Sequence, residues 1–305
     1  MRSEDVPVDP DRDVLPDGVD PTAPAGSVTP AEAQKHGRAG RNLPAAVGVG
    51  VALGVVVVAS LFLFKDAFVA VVVVALGIGL WELGRAFRSA GIEIPLLPVL
   101  TGGTLMCVAA YYGGMETAAV AMALTVIGTL VWRLSEGADG FVRDTSAGIF
   151  SLAYLHLMGV FVLLMLVEDD GPWRIVTFIV ATIASDIGGY AAGVLFGKHP
   201  MAPTISPKKS WEGFTGSLLV GIAAGILTVR YGLDGEWWVG IVLGVAAVVM
   251  ATLGDLSESL IKRDLGIKDM GDLLPGHGGL MDRLDSLIAV APVAWLILHY
   301  LVPVA

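Results

Sequence analysis

Charged residues are scarce in this 305-residue chain: they make up 16% of it, whereas soluble domains usually carry about a quarter. Cys107 is the only cysteine, which excludes a disulfide framework and a thiolate metal site. The net charge of −10 lacks the basic excess of nucleic-acid-binding domains, so no nucleic-acid partner is expected. P-loop, GxSxG and HExxH motifs are also missing, which excludes the sites that depend on them.

Apolar residues dominate instead, at 55% of the chain, with a mean hydropathy of +0.74. Several apolar runs reach the ~20 residues that a helix needs to cross ~30 Å of hydrocarbon. The sequence therefore predicts an all-α, polytopic integral membrane helical bundle over residues 43–305. The nine predicted spans are residues 43–64, 67–87, 95–112, 117–134, 146–167, 173–196, 214–231, 237–253 and 286–304.

The first 42 residues have a different composition. They contain eight acidic residues, five basic residues and six prolines, with few bulky apolar side chains. Such a segment buries too little surface to offset its ordering entropy, so residues 1–42 are predicted to be a disordered tail.

The placement of lysine and arginine predicts the orientation, because cytoplasmic loops carry an excess of both. With a cytoplasmic N-terminus and nine crossings, 16 of the 19 basic residues fall on the cytoplasmic side. Only Lys65, Arg174 and Arg230 fall outside. We therefore expect a multi-pass protein of the plasma membrane, with all its polar clusters on the cytoplasmic face.

A polar block at residues 254–285 interrupts the apolar sequence between the last two predicted spans. Asp255 directly follows one span and Asp282 directly precedes the next, so the returning chain brings the two together. Magnesium is typically held by one or two carboxylates together with waters and substrate phosphates, and this pair therefore predicts a magnesium site. Asp285 shares a helix face with Asp282 and is a further ligand or an orienting group.

Basic residues of the same block suit anions. Arg263 is able to grip a phosphate with two parallel hydrogen bonds, whereas Lys262 supplies a point charge. His277 stands beside Gly278 and Gly279, whose unhindered backbone lets an anion approach. The alternative is that the acids and bases of this block are solvated charges that pair with one another or with anionic lipid headgroups.

A second cluster lies before the seventh predicted span, where Ser206, Lys208 and Lys209 belong to the segment ISPKKSWEG. Adjacent lysines flanked by serines suit a triphosphate, or they anchor the loop at the cytoplasmic face. Asp186 stands within an apolar span, where a charge costs about 3 kcal/mol, so it is predicted to bind substrate or metal or to pair with a lysine of the following loop. Glu82 is expected at the membrane interface, and His156 as a hydrogen-bonded packing residue.

The sixth predicted span carries Gly189, Gly193 and Gly197 at intervals of four residues. This pattern marks a thin helical face, on which another helix packs closely. The partner is either another helix of the bundle or a second copy of the chain in a homodimer.

The polar block also matches a family signature. The match runs from Ser259 to Asp285 as S-x-I-K-R-x4-K-D-x-G-x2-L-P-x-H-G-G-L-x-D-R-L-D, with no departure over 27 positions. In this string the chain resembles the phosphatidate cytidylyltransferases, also called CDP-diacylglycerol synthases. Its ISPKKSWEG segment is similar to a second segment of that family.

The resemblance implies a reaction in which CTP and phosphatidate give CDP-diacylglycerol and pyrophosphate. It implies Mg²⁺ held by Asp255 and Asp282, sometimes with a monovalent cation such as K⁺. The triphosphate of CTP is then expected on Lys208 and Lys209. The phosphatidate headgroup is expected on Lys262, Arg263 and His277.

Two alternatives stay open from the residues alone. A CTP-dependent kinase of a polyprenol-type lipid shares the nucleotide and the membrane setting but releases CDP. A transporter of an anionic solute accounts for Asp186 and the lysines as the lining of a path.

Overall fold

The structure is a computed structural model that describes residues 43–271, 273 and 278–303. The predicted tail at residues 1–42 lies outside the described residues. The described chain folds into helices α1 (Leu43–Leu63), α2 (Lys65–Ser89), α3 (Leu96–Leu134), α4 (Phe141–Val167), α5 (Gly171–Phe196), α6 (Trp211–Gly232), α7 (Trp237–Asp264) and α8 (Met281–Leu301), and into strands β1 (Pro200–Ala202) and β2 (Ser206–Ser210). The strands pair antiparallel between α5 and α6.

Seven of these helices, α2 to α8, are long and apolar enough to cross a membrane. The prediction of an all-helical, multi-pass membrane protein is confirmed at this level. The count differs from the nine predicted spans for two reasons. The apolar stretch found in α1 is Gly50–Leu63, which is too short to count among these seven. The third and fourth predicted spans both lie in α3, which counts once.

Helix α3 reverses direction at Gly114, which has φ 74° and ψ −166°. The positive φ is a conformation that glycine adopts without steric cost. Thr117 bridges the reversal, since its hydroxyl donates to the carbonyl oxygen of Ala109 at 2.6 Å. A Cβ on Gly102 would lie 2.2 Å from the side chain of Thr125, so residues 96–113 and 115–134 pack as an antiparallel pair.

Glycines let α5, α6 and α7 pack with their backbones in contact. A Cβ on Gly188 of α5 would lie 2.6 Å from the carbonyl oxygen of Gly216 on α6. A Cβ on Gly225 of α6 would lie 2.3 Å from the carbonyl oxygen of Gly240 on α7. Small residues at such contacts are how membrane helices approach one another closely. This packing holds together the helices that carry most of the polar clusters.

The glycine face of the sixth predicted span takes part in the same packing. A Cβ on Gly189 would lie 2.4 Å from Ser217 Oγ, and one on Gly197 would lie 2.9 Å from Ser210 Oγ. Gly193 lies against Ser210 as well. The prediction of packing within the bundle is therefore confirmed, and the homodimer stays a prediction.

Replacing Gly225 by alanine is expected to destabilise the bundle by about 1–3 kcal/mol, because the added methyl group collides with backbone rather than with a flexible side chain. The apparent melting temperature in detergent should fall by several degrees. Gly128→Ala is the matched control, since no atom lies within 4 Å of its added Cβ. An equal melting temperature for the Gly225 variant and the wild type would contradict the tight α6–α7 contact.

Buried Arg174 ties the far end of α8 to α5. Its side chain pairs with Asp170 at 2.5 Å and donates to the carbonyl oxygens of Leu298 at 2.6 Å and Val302 at 3.0 Å. Both carbonyls lie at the C-terminal end of α8, where a cation is favoured by the helix dipole. The C-terminal end of α8 is thereby fixed, with the acids of the polar block at its other end.

Candidate active site

A cavity of about 680 Å³ lies at the end of the bundle where α8 begins. Its walls come from α5, the β1–β2 hairpin, α6, α7 and α8. The polar lining includes Ser185, Asp186, Ser206, Lys208, Lys209, Ser210, Ser217, Thr252, Asp255, Asp282, Arg283, Asp285 and Ser286. The three clusters that the sequence singled out, which are separated by up to about a hundred residues, therefore meet in one cavity.

The hairpin presents its lysines through contacts at the start of α6. The Ser210 hydroxyl accepts from the backbone N–H of Gly213 at 3.1 Å, which caps the helix. The Glu212 carboxylate accepts from the backbone N–H groups of Lys198 at 3.1 Å and His199 at 3.2 Å. The segment that leads into the hairpin is thus fastened to the first turn of α6, and β2 runs directly into that turn.

Asp255 joins three elements of the site. One of its oxygens forms an ion pair with Lys209 of the hairpin. The other accepts from Ser286 Oγ on α8 at 2.7 Å. Asp285 lies within hydrogen-bonding reach of the same carboxyl group. The close approach of α7 and α8 permits this contact, since a Cβ on Gly254 would lie 2.5 Å from the carbonyl oxygen of Asp285.

Asp282 holds the segment that precedes α8. One oxygen accepts from the backbone N–H of Gly279 at 2.9 Å. The backbone nitrogen of Met270 lies 3.3 Å from the same oxygen. The other oxygen accepts from Lys262 Nζ at 2.9 Å. Asp282 therefore shares the cavity wall with Asp255 and also holds Met270 and Gly279 close to the start of α8.

Lys262 pairs with acids of the same block, which is the alternative that the sequence left open, whereas Arg263 contacts the hairpin. The Lys262 ammonium lies between Asp282 and Glu258, with Glu258 Oε2 at 2.6 Å. Glu258 is 2% exposed, so this is a largely buried triad of two carboxylates and one ammonium. Arg263 is exposed and donates from Nε to the carbonyl oxygen of Ile205 at 3.2 Å, which ties the hairpin to the end of α7.

Asp186 lies on the α5 side of the cavity. It interacts electrostatically with Asp255, Lys209 and Arg283, all of which line the same space. Asp186 thus lines the cavity although it is exposed. Whether it contacts substrate or metal stays a prediction.

The charge of the lining favours a bound cation. Acidic side chains crowd this space: Asp255 and Asp285 lie within hydrogen-bonding reach of each other, and two negative charges this close repel in a medium of low dielectric constant, which a bound cation would relieve. Among the described residues, no three acidic, histidine or cysteine side chains form a closed metal-binding cluster. Magnesium prefers few protein carboxylates and completes its shell with water and substrate phosphates, so an open pair of aspartates fits this ion.

Two residues differ from their predicted environments. Glu82 is 1% exposed rather than interfacial, and it accepts from the backbone N–H groups of Leu280 at 3.1 Å and Met281 at 2.8 Å. Its position near the end of an apolar span was a weak signal for function, and that signal does not separate a buried acid from an interfacial one. His156 is buried without a hydrogen-bond partner for either ring nitrogen in the described part of the chain. His277 lies outside the described residues.

The chain is similar to known proteins over most of its length. A sequence model of the cytidylyltransferase family matches residues 44–301. A phosphatidate cytidylyltransferase of Mycobacterium bovis is 42% identical over 303 residues, which cover 92% of this chain and 99% of the relative. The proteins of that name from Mycobacterium leprae and Helicobacter pylori J99 are 43% and 31% identical, and the matches cover 87% and 79% of this chain and 90% and 87% of those relatives, respectively.

Proposed function

The chain belongs to the cytidylyltransferase family, and we propose that it transfers the cytidylyl group of CTP to phosphatidate. The products are CDP-diacylglycerol and pyrophosphate. The observation that carries this proposal is the meeting of Lys208, Lys209 and the three aspartates Asp255, Asp282 and Asp285 in one cavity. The relatives, which share up to 43% identity with this chain and are named for this reaction, support it.

In this reaction a phosphate oxygen of phosphatidate attacks the α-phosphorus of CTP. The bond from that phosphorus to the bridging oxygen breaks, and pyrophosphate leaves with the electron pair. The phosphate nucleophile is already ionised at neutral pH, so no strong general base is required. The main task of the protein is to bring two anions together and align them.

Ser206, Lys208 and Lys209 are proposed to bind the triphosphate of CTP. Both lysines line the cavity, and Lys209 is held there by its ion pair with Asp255. A triphosphate that enters the cavity would draw Lys209 toward its oxygens, since phosphate carries more charge than one carboxylate. Asp186, on the α5 wall of the cavity, is proposed to orient the nucleotide or its counterion.

Magnesium is the proposed cofactor, held by Asp255 and Asp282 with Asp285 beside them, and a monovalent cation such as K⁺ is a secondary proposal. When bound, magnesium would neutralise nucleotide phosphates and the charge that develops on the leaving pyrophosphate. The aspartates that line the cavity support it, because two anionic substrates would otherwise meet acidic side chains without a cation between them.

For the phosphatidate headgroup, Arg263 and His277 stay the proposed ligands from the sequence. Arg283 joins them, because it lines the cavity at the start of α8. Lys262 is proposed to act differently from the sequence-based expectation. Its ammonium is bound by Glu258 and Asp282, so it orients Asp282 instead of presenting its charge to lipid.

The proposed topology has nine crossings, a cytoplasmic N-terminus and a place in the plasma membrane. The reversal at Gly114 supports nine, since it divides α3 into two antiparallel segments, and α1 supplies the first crossing. The distribution of lysine and arginine supports the orientation. In this arrangement the cavity faces the cytoplasm, where CTP is available.

The test is pyrophosphate release by the purified protein in detergent, with CTP and magnesium, in the presence and absence of phosphatidate. We expect release only when phosphatidate and magnesium are both present, together with formation of CDP-diacylglycerol. Release of CDP with a phosphorylated lipid alcohol would indicate the kinase instead. Solute flux in vesicles without nucleotide turnover would indicate the transporter.

A further inference from the structure

Glu82 is the buried acid of α2 that the reaction scheme above does not use. Its carboxylate sits at the N-terminus of α8, about two hundred residues further along the chain, with one oxygen on Leu280 N and the other on Met281 N. A carboxylate in an apolar span is costly to bury unless it is paired or hydrogen-bonded. Here the partners are N–H groups that a helix leaves unpaired at its start, where the helix dipole also favours negative charge.

Two glycines near the start of α8 leave room for this carboxylate. A Cβ on Gly271 would lie 2.4 Å from Glu82 Oε1, and a Cβ on Gly279 would lie 2.8 Å from Oε2. Glycine at both positions therefore lets the backbone close around the two oxygens. Glu82 therefore lies against both Gly271 and Gly279, next to the start of α8.

The backbone at the start of α8 is also held by Asp282. Asp282 accepts from Gly279 N, and Glu82 accepts from the next two N–H groups along the chain. The two carboxylates thus accept hydrogen bonds from the backbone N–H groups of three consecutive residues. Because Asp282, Asp285 and Ser286 lie in the first two turns of α8, any shift of the helix start moves all three relative to Asp255.

We propose that Glu82 is a positioning residue that fixes the start of α8 and thereby aligns the carboxylates of Asp282 and Asp285 with Asp255. The expected effect on activity rests on the proposed cytidylyl transfer, whereas the contacts of Glu82 with the start of α8 do not depend on it. Loss of the partner that holds a ligand-bearing element typically lowers activity or metal affinity about 10–100-fold. We expect Glu82→Gln to lower kcat by that factor, with a smaller change in the KM for CTP.

Hydrogen–deuterium exchange of the metal-free protein in detergent tests the geometry without any turnover. Glutamine keeps the shape of the side chain but presents an NH₂ group to one of the two backbone donors. We expect the amides of residues 278–286 to exchange about 10-fold faster in Glu82→Gln, because backbone hydrogen bonds at the helix start are weakened. Residues 210–217 of α6 should be unchanged, and so should all peptides of the control Glu116→Gln, an exposed acid.

A second pair of variants tests whether the faster exchange depends on the contact between Glu82 and Gly271. Gly271→Ala should accelerate exchange at residues 278–286 in the wild type, because the methyl group displaces the Glu82 carboxylate. In a Glu82→Ala background the same change should add nothing further, since the colliding atoms are gone. Equal acceleration in both backgrounds would overturn the proposal.

The activity and exchange results separate this inference from the proposed function. Unchanged exchange at residues 278–286 in Glu82→Gln would overturn the inference even if the wild type transfers cytidylyl groups. Faster exchange there with an unchanged kcat would also overturn it, since the contact would then be structural only. A wild type without cytidylyl transfer would remove the proposed function, while exchange would still report on the contact.

Discussion

Replacing Asp255 by asparagine is expected to lower cytidylyl transfer by about 1,000-fold or more, with the protein still folded. Asp255 is the carboxylate that contacts Lys209 of the hairpin, Ser286 of α8 and Asp285. The amide lacks the charge that attracts a divalent cation, and its NH₂ group would face the Lys209 ammonium. Initial rates of pyrophosphate release at saturating CTP and phosphatidate, over a magnesium titration, measure the loss.

The matched control is Asp234→Asn. Asp234 is exposed and has φ 47°, a conformation that asparagine tolerates, and it lies in the turn between α6 and α7. It should retain wild-type rates and the wild-type melting temperature. More than a tenth of wild-type turnover in Asp255→Asn at any magnesium concentration would refute the assignment of Asp255 as a metal ligand.

Replacing Lys209 by methionine is expected to lower kcat/KM for CTP by about 100- to 1,000-fold. Lys209 is half-buried in the cavity and bound to Asp255, so its charge acts where water is partly excluded and electrostatic interactions are strong. Lys208 lines the same cavity but is exposed, so Lys208→Met should cost only about 10-fold, mostly through the KM for CTP. Steady-state kinetics of the two variants side by side measure the difference.

Lys198→Met controls for the loss of one positive charge from the same loop, since Lys198 is exposed and its backbone, rather than its ammonium, makes the contact with Glu212. Its kinetics should match the wild type. Lys209→Arg should recover part of the activity, because it keeps the charge but not the shape of the ammonium. Equal losses of activity in Lys208→Met and Lys209→Met would contradict this prediction, because the burial of Lys209 beside Asp255 would then have no effect on kcat/KM.

The two acids Glu82 and Asp282 show where reasoning from the sequence reached its limit. Asp282 stands in a polar block whose spacing and family signature point to chemistry, and the structure brings it to the cavity. Glu82 stands alone at the end of an apolar run, where no local pattern separates an interfacial acid from a buried one. Its partners lie about two hundred residues away, at Leu280 and Met281. Sequence spacing carries no information about such a contact.

Lys262 illustrates the same limit in a different way. Its charge and its place in the signature predict an anion-binding role, and both are local properties. Its partner is set by geometry, because residues 258 and 262 share a helix face and α8 returns to place Asp282 beside them. A nearby carboxylate competes with a lipid phosphate for the ammonium, and only the folded arrangement shows that it is there.

The amino-acid sequence alone determined that the chain is a helical membrane protein, that its polar residues form three clusters, and which family these clusters resemble. These properties follow from composition, periodicity and short-range spacing, each of which acts within one helix or loop. The tertiary structure decided that α3 folds back at Gly114, that the three clusters share one cavity, and that Glu82 holds the start of α8. Each of these depends on contacts between residues of different helical segments. Glycines at the crossings permit such contacts, and only the packed bundle selects which of them form.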